Sequence, residues 1–230
     1  MTDTGAAARL RAVVFDLDGV LVDSEPLWHE AELEVFGALG VPLTRAMCLD
    51  TTGLRVDAVV RHWFARFPWR DASVERVAHN VVERVAAHIA ARAQPMPHVA
   101  AALDAVDARG LALGLASSSP RVVIDAAVRR LGIAHRFAAV RSAELLVRGK
   151  PDPEVYLLAC ADLGVPPGRA VAIEDSSSGL RAAHAAGMRV IAVPDPSTRP
   201  PDALDLADVV LTHLGELAPA LDRLLSEGPP

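Results

Sequence analysis

Two aspartates that could take part in catalysis or metal binding follow an apolar, β-branched run near the start of this 230-residue chain. Asp16 comes directly after residues 13–15 (Val-Val-Phe), Asp18 lies two positions further, and Gly19 follows at once. The apolar run predicts a buried parallel strand, and the glycine predicts the turn where it ends. Ligand sites in open α/β sheets lie outside the carboxyl ends of strands. A carboxylate pair there can hold a divalent cation, act as nucleophile, divide acid and base roles, or only cap a turn.

One lysine stands out in the composition. Of the 23 basic residues, 22 are arginines and only Lys150 is a lysine. A compact ammonium on a flexible stem forms different contacts from a planar guanidinium. Lys150 lies between Gly149 and Pro151, in a loop between a predicted strand and a predicted helix. We therefore expect it at the same edge of the sheet as Asp16, although one lysine can also persist by chance.

A run of three serines, residues 117–119, follows another apolar segment, residues 111–116. A hydroxyl at a strand end, together with the first N–H groups of the next helix, makes a cradle for phosphate. Serines also cap ordinary helices, so this segment alone is a weak indication.

Two acids, Glu174 and Asp175, follow a third apolar run at residues 170–173. Bringing them near Asp16 costs free energy unless a cation lies among them, and hard oxygen ligands of this kind suit Mg²⁺. Helix capping is the simpler alternative. Taken together, however, the sequence predicts a carboxylate pair, a hydroxyl, an ammonium and metal-binding acids at four strand ends of one sheet.

The elements that must position these residues alternate regularly after about residue 95. Strands are predicted at 111–116, 137–140, 170–173 and 189–193, with an edge strand at 209–211. Helices are predicted at 98–109, 120–131, 153–163 and 178–186. Such alternation predicts the α/β class with a doubly wound parallel sheet.

Residues 24–93 break this alternation because they show helical periodicity only. Helices are predicted there at 26–39, 54–67 and 73–93, with a short one near 44–50. We predict a small α-helical cap domain over 24–93, inserted into a catalytic core formed by residues 1–23 and 94–230. Its aromatic residues should mostly form its own core, and residues 94–97 should form a rigid linker or hinge.

The bulk composition argues against some classes of partner. The chain is 51% hydrophobic with a net charge of −6, which is typical of a globular protein without a nucleic-acid or polybasic membrane partner. Cys48 and Cys160 lack metal-ligand spacing and do not suggest a disulfide framework. Residues 1–11 lack the apolar core of a signal peptide, and no apolar run reaches membrane-spanning length. We expect a cytoplasmic monomer or weak homo-oligomer.

Four segments resemble, in order, the four motifs of the haloacid dehalogenase (HAD) superfamily. They are residues 15–20 (FDLDGV), 116–119 (ASSS), 149–151 (GKP) and 173–176 (IEDS). The helical insert resembles that family's helical cap. Segments 23–28, 53–57 and 68–69 narrow the resemblance to its sugar phosphatases, although related β-phosphoglucomutases share the motifs. The resemblance implies a Rossmann-like core and a small phosphorylated sugar or polyol as substrate.

The resemblance also implies a role for each motif residue. Asp16 is expected to attack phosphorus and form an aspartyl-phosphate, while Asp18 protonates the leaving oxygen and then deprotonates the attacking water. The implied cofactor is Mg²⁺, with ligands from Asp16, the backbone carbonyl of Asp18, Asp175 and Glu174. The phosphoryl oxygens are expected to bind Ser117, the N–H of Ser118, and Lys150. The candidates that contact the sugar are Glu25, Trp28, His29 and Arg55.

Two other functions stay open. A β-phosphoglucomutase-like mutase would return the phosphoryl group to a second sugar hydroxyl. Caps of such mutases carry a histidine where this chain has Trp28, one residue before His29, and a lysine that residues 24–93 lack. Both departures favour hydrolysis. A phospho-acceptor switch or non-catalytic binding module would also present an aspartate, a hydroxyl and a lysine, but such switch domains have no helical cap.

Overall fold

The computed structural model of the protein describes residues 9–51, 54–195 and 200–227. Gly53, which begins the segment 53–57 noted above, lies outside the described residues. The strands are β1 (Ala12–Phe15), β2 (Val22–Asp23), β3 (Gln94–Pro95), β4 (Ala112–Ser117), β5 (Ala139–Ser142), β6 (Ala170–Glu174), β7 (Arg189–Ala192) and β8 (Val209–Val210). The α-helices are α1 (Glu25–Ala38), α2 (Arg45–Cys48), α3 (Val56–Arg66), α4 (Val74–Arg92), α5 (Val99–Asp107), α6 (Arg121–Arg130), α7 (Glu154–Asp162), α8 (Ser177–Ala185) and α9 (Leu217–Glu227).

Six strands form one sheet in the order β5-β4-β1-β6-β7-β8. Every neighbouring pair in this sheet is parallel, so the predicted doubly wound α/β fold is confirmed. The central strand β1 consists of Ala-Val-Val-Phe, and all four residues are fully buried. A strand covered on both faces requires such a continuous apolar run, which explains why the sequence forms the centre of the sheet here.

The order of the strands opens a crevice at the carboxyl end of β1. The chain places β4 and β5 on one side of β1 and then β6 to β8 on the other. Ligands bind in α/β sheets at such a switch point. Phe15 pairs with Leu115 of β4 and with Ile173 of β6, so the residues that follow these three meet at one edge.

Between β2 and β3, all described elements are helical, which confirms the predicted periodicity. In α4, the i, i+4 series Val77, Val81, Val85 and Ile89 is fully buried, and Ser73 caps the helix by accepting from the Arg76 N–H. Helix α4 packs on α1 and α3, and also on α6 beside the sheet. We continue to propose residues 24–93 as a cap domain inserted into a core of 1–23 and 94–230.

The predicted aromatic core of this helical segment is present. Trp63 is fully buried, and Trp69 makes ring contacts with Phe36 and Phe64. Trp28 differs from these residues because its indole faces the carboxyl end of β1.

The rigid linker or hinge predicted at residues 94–97 contains a short strand that the sequence analysis did not identify. Gln94 and Pro95 pair antiparallel with Asp23 and Val22. The two chain crossings between sheet and helices therefore lie side by side. A pair of two-residue strands is too short to leave a period in the sequence.

Of the helices described, none has the length and apolar character needed to cross a membrane.

Candidate active site

Lys150 holds together the ends of three strands. Its Nζ donates to Asp16 Oδ1 at 2.5 Å, to Glu174 Oε1 at 2.7 Å and to the Ala116 carbonyl at 2.9 Å. Its side chain is only 4% exposed. An ammonium has three N–H donors, so each has an acceptor from a different strand end. The loop before α7 thus carries the lysine to the edge that the sequence predicted.

Glu174 is fully buried and accepts hydrogen bonds at both carboxylate oxygens. Besides Lys150, its Oε1 accepts from the Tyr156 hydroxyl of α7 at 2.6 Å. Its Oε2 accepts from the N–H groups of Asp175 and Ser176 and from the Ser176 hydroxyl. Glu174 therefore orients Lys150 from a position fixed by α7 and by the turn into α8.

The positive and negative charges of the cluster formed by Lys150, Asp16, Glu174 and Asp175 do not balance. Burial raises the pKa of Asp16 to about 7, although Lys150 acts against that shift. Burial also raises the pKa of Asp175, and the negative charges of Glu174 and Asp16 add to the rise. For Lys150, burial alone would lower the pKa, but Asp16 and Glu174 outweigh it and raise the pKa. One ammonium thus faces three acids, which leaves an excess of negative charge.

The same acids form a geometry suited to a cation. Asp16, Glu174 and Asp175 each offer a carboxylate oxygen, and these atoms all lie within 4.8 Å of one another. Carboxylate oxygens are the ligands that Mg²⁺ takes in proteins, and a divalent ion would offset the excess charge. The residues present therefore fit this cofactor.

Asp18 lies in a separate hydrogen-bond network. Its Oδ1 accepts from the Ser24 hydroxyl at 2.5 Å and from the Trp28 indole at 3.2 Å. Its Oδ2 accepts from the hydroxyls of Ser119 at 2.6 Å and Ser117 at 3.5 Å. These donors come from the start of α1 and the end of β4, so Asp18 connects the sheet edge with the helical segment.

Sequence reasoning did not identify Ser24 and Ser119 as partners of Asp18. Ser24 occupies the N-cap position of α1 but makes no side-chain cap hydrogen bond, because its hydroxyl donates to Asp18 instead. An N-cap serine so close to the aspartates was the available signal. Tyr156 gave no such signal, because only the packing of α7 brings it to Glu174.

A cavity of about 190 Å³ joins the sheet edge to the helical segment. The predicted residues Ser118, Glu25, Trp28, His29 and Arg55 all line it, together with Asp16, Asp18, Ser117, Lys150 and Asp175. Arg55 also donates to the Leu146 carbonyl at 2.9 Å and to Asp57 Oδ1 at 3.2 Å. The structure thus brings every predicted site residue except Glu174 to the cavity wall, and Glu174 lies behind Lys150.

Two glycines leave room for the acids. Gly19 has φ +77°, and a Cβ built on it would overlap the Asp175 carboxylate. A Cβ on Gly179, in the first turn of α8, would overlap the Glu174 carboxylate. The sequence predicted the turn at Gly19, but not this close approach at either position.

Gly179→Ala is expected to displace Glu174 and thereby weaken its bonds to Lys150 and Tyr156. Because buried polar groups would lose partners, we expect the free energy of unfolding to fall by about 2 kcal/mol. Urea denaturation measures this change. Gly37→Ala in α1 is the matched control, since a Cβ there meets nothing within 4 Å. Equal stability of the two variants would contradict the close packing at Gly179.

Known proteins are similar to this chain in sequence and in fold. The profile of the haloacid dehalogenase-like hydrolase family matches residues 10–187. The chain is 42% identical to hexitol phosphatase B of Escherichia coli K12 over 210 aligned residues. The aligned region covers 91% of this chain and 95% of that enzyme. The chain is 30% identical over 234 residues to N-acetylmuramic acid 6-phosphate phosphatase of Pseudomonas aeruginosa, covering 95% and 98% of the two chains.

A solved structure is also similar to this chain over most of its length. CbbY from Rhodobacter sphaeroides in complex with phosphate matches with a TM-score of 0.81 and 32% identity, covering 93% of this chain and 99% of that one. The resemblance found in the sequence motifs is therefore confirmed over most of the chain. The protein belongs to the haloacid dehalogenase-like hydrolases.

Proposed function

We propose that this protein is a Mg²⁺-dependent phosphatase that hydrolyses sugar or sugar-alcohol phosphates through an aspartyl-phosphate intermediate. One observation carries the proposal. Asp16 is buried at the carboxyl end of β1, is held by Lys150, and shares a cavity of about 190 Å³ with Asp18. A nucleophile and a second carboxylate thus face one cavity of a size suited to a small substrate.

In the first half of the reaction, an Asp16 carboxylate oxygen attacks phosphorus, and the bond from phosphorus to the sugar oxygen breaks. Asp18 transfers a proton to that leaving oxygen. In the second half, water attacks phosphorus, Asp18 accepts its proton, and inorganic phosphate leaves Asp16. The donors around Asp18, from Ser24 to Ser119, hold its carboxylate in position for both transfers.

The phosphoryl oxygens would bind Lys150, the Ser117 hydroxyl and the N–H of Ser118. Ser118 lies in the turn between β4 and α6, and backbone N–H groups in such turns can bind an anion. Lys150 offsets the repulsion between a carboxylate nucleophile and a phosphate dianion. Asp16, Asp175 and the main-chain carbonyl of Asp18 would hold Mg²⁺, with Glu174 beside them. The bound ion would supply further positive charge for the phosphoryl oxygens.

The contact between Trp28 and Asp18 favours hydrolysis over a mutase reaction. An indole N–H can donate a hydrogen bond but cannot accept a proton, so Trp28 offers no acid–base relay beside Asp18. The cavity beside Asp16 and Asp18 favours an enzyme over a phospho-acceptor switch, which needs no substrate cavity. The names of the relatives, which include hexitol phosphatase B, support a sugar or polyol phosphate as the substrate.

Release of inorganic phosphate from a substrate panel tests this proposal. The panel contains hexitol 6-phosphate, 2-deoxyglucose 6-phosphate, glycerol 3-phosphate and glucose 1-phosphate. We expect release with Mg²⁺, a fall of at least about tenfold after chelation, and recovery when Mg²⁺ is restored. Isomerised glucose phosphate without free phosphate would instead identify a mutase. No release from any substrate, or release that resists chelation, would contradict the proposal.

A further inference from the structure

Glu32 is a buried acid that neither the sequence motifs nor the mechanism explains. Its residue is only 6% exposed, although it lies in the middle of helix α1. Its Oε2 is shielded from solvent and has no hydrogen-bond partner among the described residues. Buried polar atoms nearly always have a partner, so an exception calls for an explanation.

Glu32 lies on the wall of the cavity that contains Asp16 and Asp18. The spacing of Glu25, Trp28 and Glu32 places all three on one face of α1. Trp28 contacts Asp18, and Glu32 lies one helical turn further, about 6 Å along the helix axis. Glu32 is therefore positioned beyond the phosphoryl end of the cavity, within reach of a hexitol chain.

The surroundings of Glu32 contain no compensating charge. Within the part of the chain that the structure describes, Glu32 forms no ion pair, and its hydrogen-bonding neighbour is the Cys48 thiol. Burial raises the pKa of Glu32 to about 7. A ligand with a second negative charge would thus meet an uncompensated carboxyl group. A ligand with hydroxyl groups would offer donors to an acceptor that lacks them.

Arg55 lines the same cavity, but it does not remove the preference of Glu32 for ligand hydroxyl groups over a second negative charge. Its Nε pairs with Asp57 at 3.2 Å, and its other nitrogens donate to carbonyls in the loop of residues 144–146. Its charge is already paired, so the cavity beyond the phosphoryl end favours neutral, hydroxyl-rich groups.

We propose that Glu32 is a specificity-determining residue, whose carboxylate accepts a hydrogen bond from a substrate hydroxyl remote from the phosphate and disfavours a second anionic group there. This inference rests on the proposed phosphatase function and adds the substrate class that the site selects. The selected substrates are monophosphates of polyols or sugars long enough to reach Glu32.

The test measures steady-state kinetics of Glu32→Gln on three substrates. We expect KM for hexitol 6-phosphate to rise about tenfold while kcat changes less than about threefold, since an amide oxygen accepts a hydrogen bond more weakly than a carboxylate oxygen. Glycerol 3-phosphate, which is too short to reach Glu32, should keep its kcat/KM. A hexose 1,6-bisphosphate should become a better substrate relative to hexitol 6-phosphate.

Glu34→Gln is the matched control, because Glu34 lies on the same helix but pairs with Arg84 and His88 on its outer side. It should leave all three substrates unchanged. If Glu32→Gln does not fold, Glu32→Asp applies the same test, since it keeps the charge but withdraws the oxygens.

The outcomes separate this inference from the proposed function. An active wild-type protein whose substrate ranking is unchanged by Glu32→Gln, or changed equally for glycerol 3-phosphate, would overturn the role of Glu32 alone. A wild-type protein inactive on every phosphate would overturn the proposed function and this inference with it.

Discussion

Asp16→Asn is expected to lower phosphate release by at least about 10³-fold, because an amide cannot form the proposed aspartyl-phosphate. The substitution keeps the size of the side chain. It also leaves Lys150 paired with Glu174 at 2.7 Å, so the buried ammonium retains a counter-charge. We therefore expect a folded protein whose defect is chemical, which thermal unfolding and circular dichroism can verify.

The control for Asp16→Asn is Asp162→Asn, which removes an exposed carboxylate paired with Arg141 at the surface. It should retain full turnover. Mass spectrometry of the wild-type protein, quenched in acid during turnover, should find phosphate on the peptide that contains Asp16. Full turnover by Asp16→Asn would refute the mechanism, and phosphate on a different residue would transfer the nucleophile role to that residue.

Lys150→Met is expected to impair both stability and catalysis, because Lys150 is the ammonium that separates Asp16 from Glu174. Removing one partner of a buried ion pair leaves uncompensated charge and typically costs about 3–5 kcal/mol. Loss of a cation aimed at the phosphoryl group should reduce kcat by about 10²-fold or more. Urea denaturation and phosphate release measure the two effects separately.

Lys150→Arg distinguishes charge from shape at this position. The Lys150 ammonium reaches three acceptors on three strand ends, whereas a planar guanidinium presents its donors as a rigid fork. We expect Lys150→Arg to recover part of the stability but little of the activity. Arg129→Met, which removes a largely exposed cation from α6, is the control and should change stability by less than about 0.5 kcal/mol. A Lys150→Met protein as stable as this control would contradict the account of the buried cluster.

The chemistry-bearing residues could be identified from the sequence because each follows an apolar run at a strand end. The sequence signal for Asp16, Ser117 and Glu174 lies in the residues directly before each of them. Parallel pairing then aligns their three strands, so that these residues lie at one edge of the sheet. Lys150 could be identified for a different reason, since it is the single lysine in a chain that otherwise uses arginine. Helices α3 and α4 of the proposed cap were predictable because their apolar faces recur with the helical period.

The contacts between helices and strands could not be predicted from local sequence patterns. Tyr156 meets Glu174 only because α7 packs against β5, β4 and β1, and Gly179 is required only because α8 begins against the same carboxylate. The pairing of β2 with β3 was invisible because two residues are too few to show a period. Each of these features depends on the relative placement of helices and strands.

The α/β sheet, the four strand ends that carry polar residues and the family resemblance could all be predicted from the sequence alone, because they follow from short-range periodicity and motif spacing. The packing of helices against the sheet was needed to show which acids share Lys150, which donors surround Asp18, and that Glu32 faces the cavity rather than solvent. The physical reason is that a helix buried on more than one face, as α1 is, has no single apolar stripe. The direction of its polar side chains is therefore set by what packs around the helix.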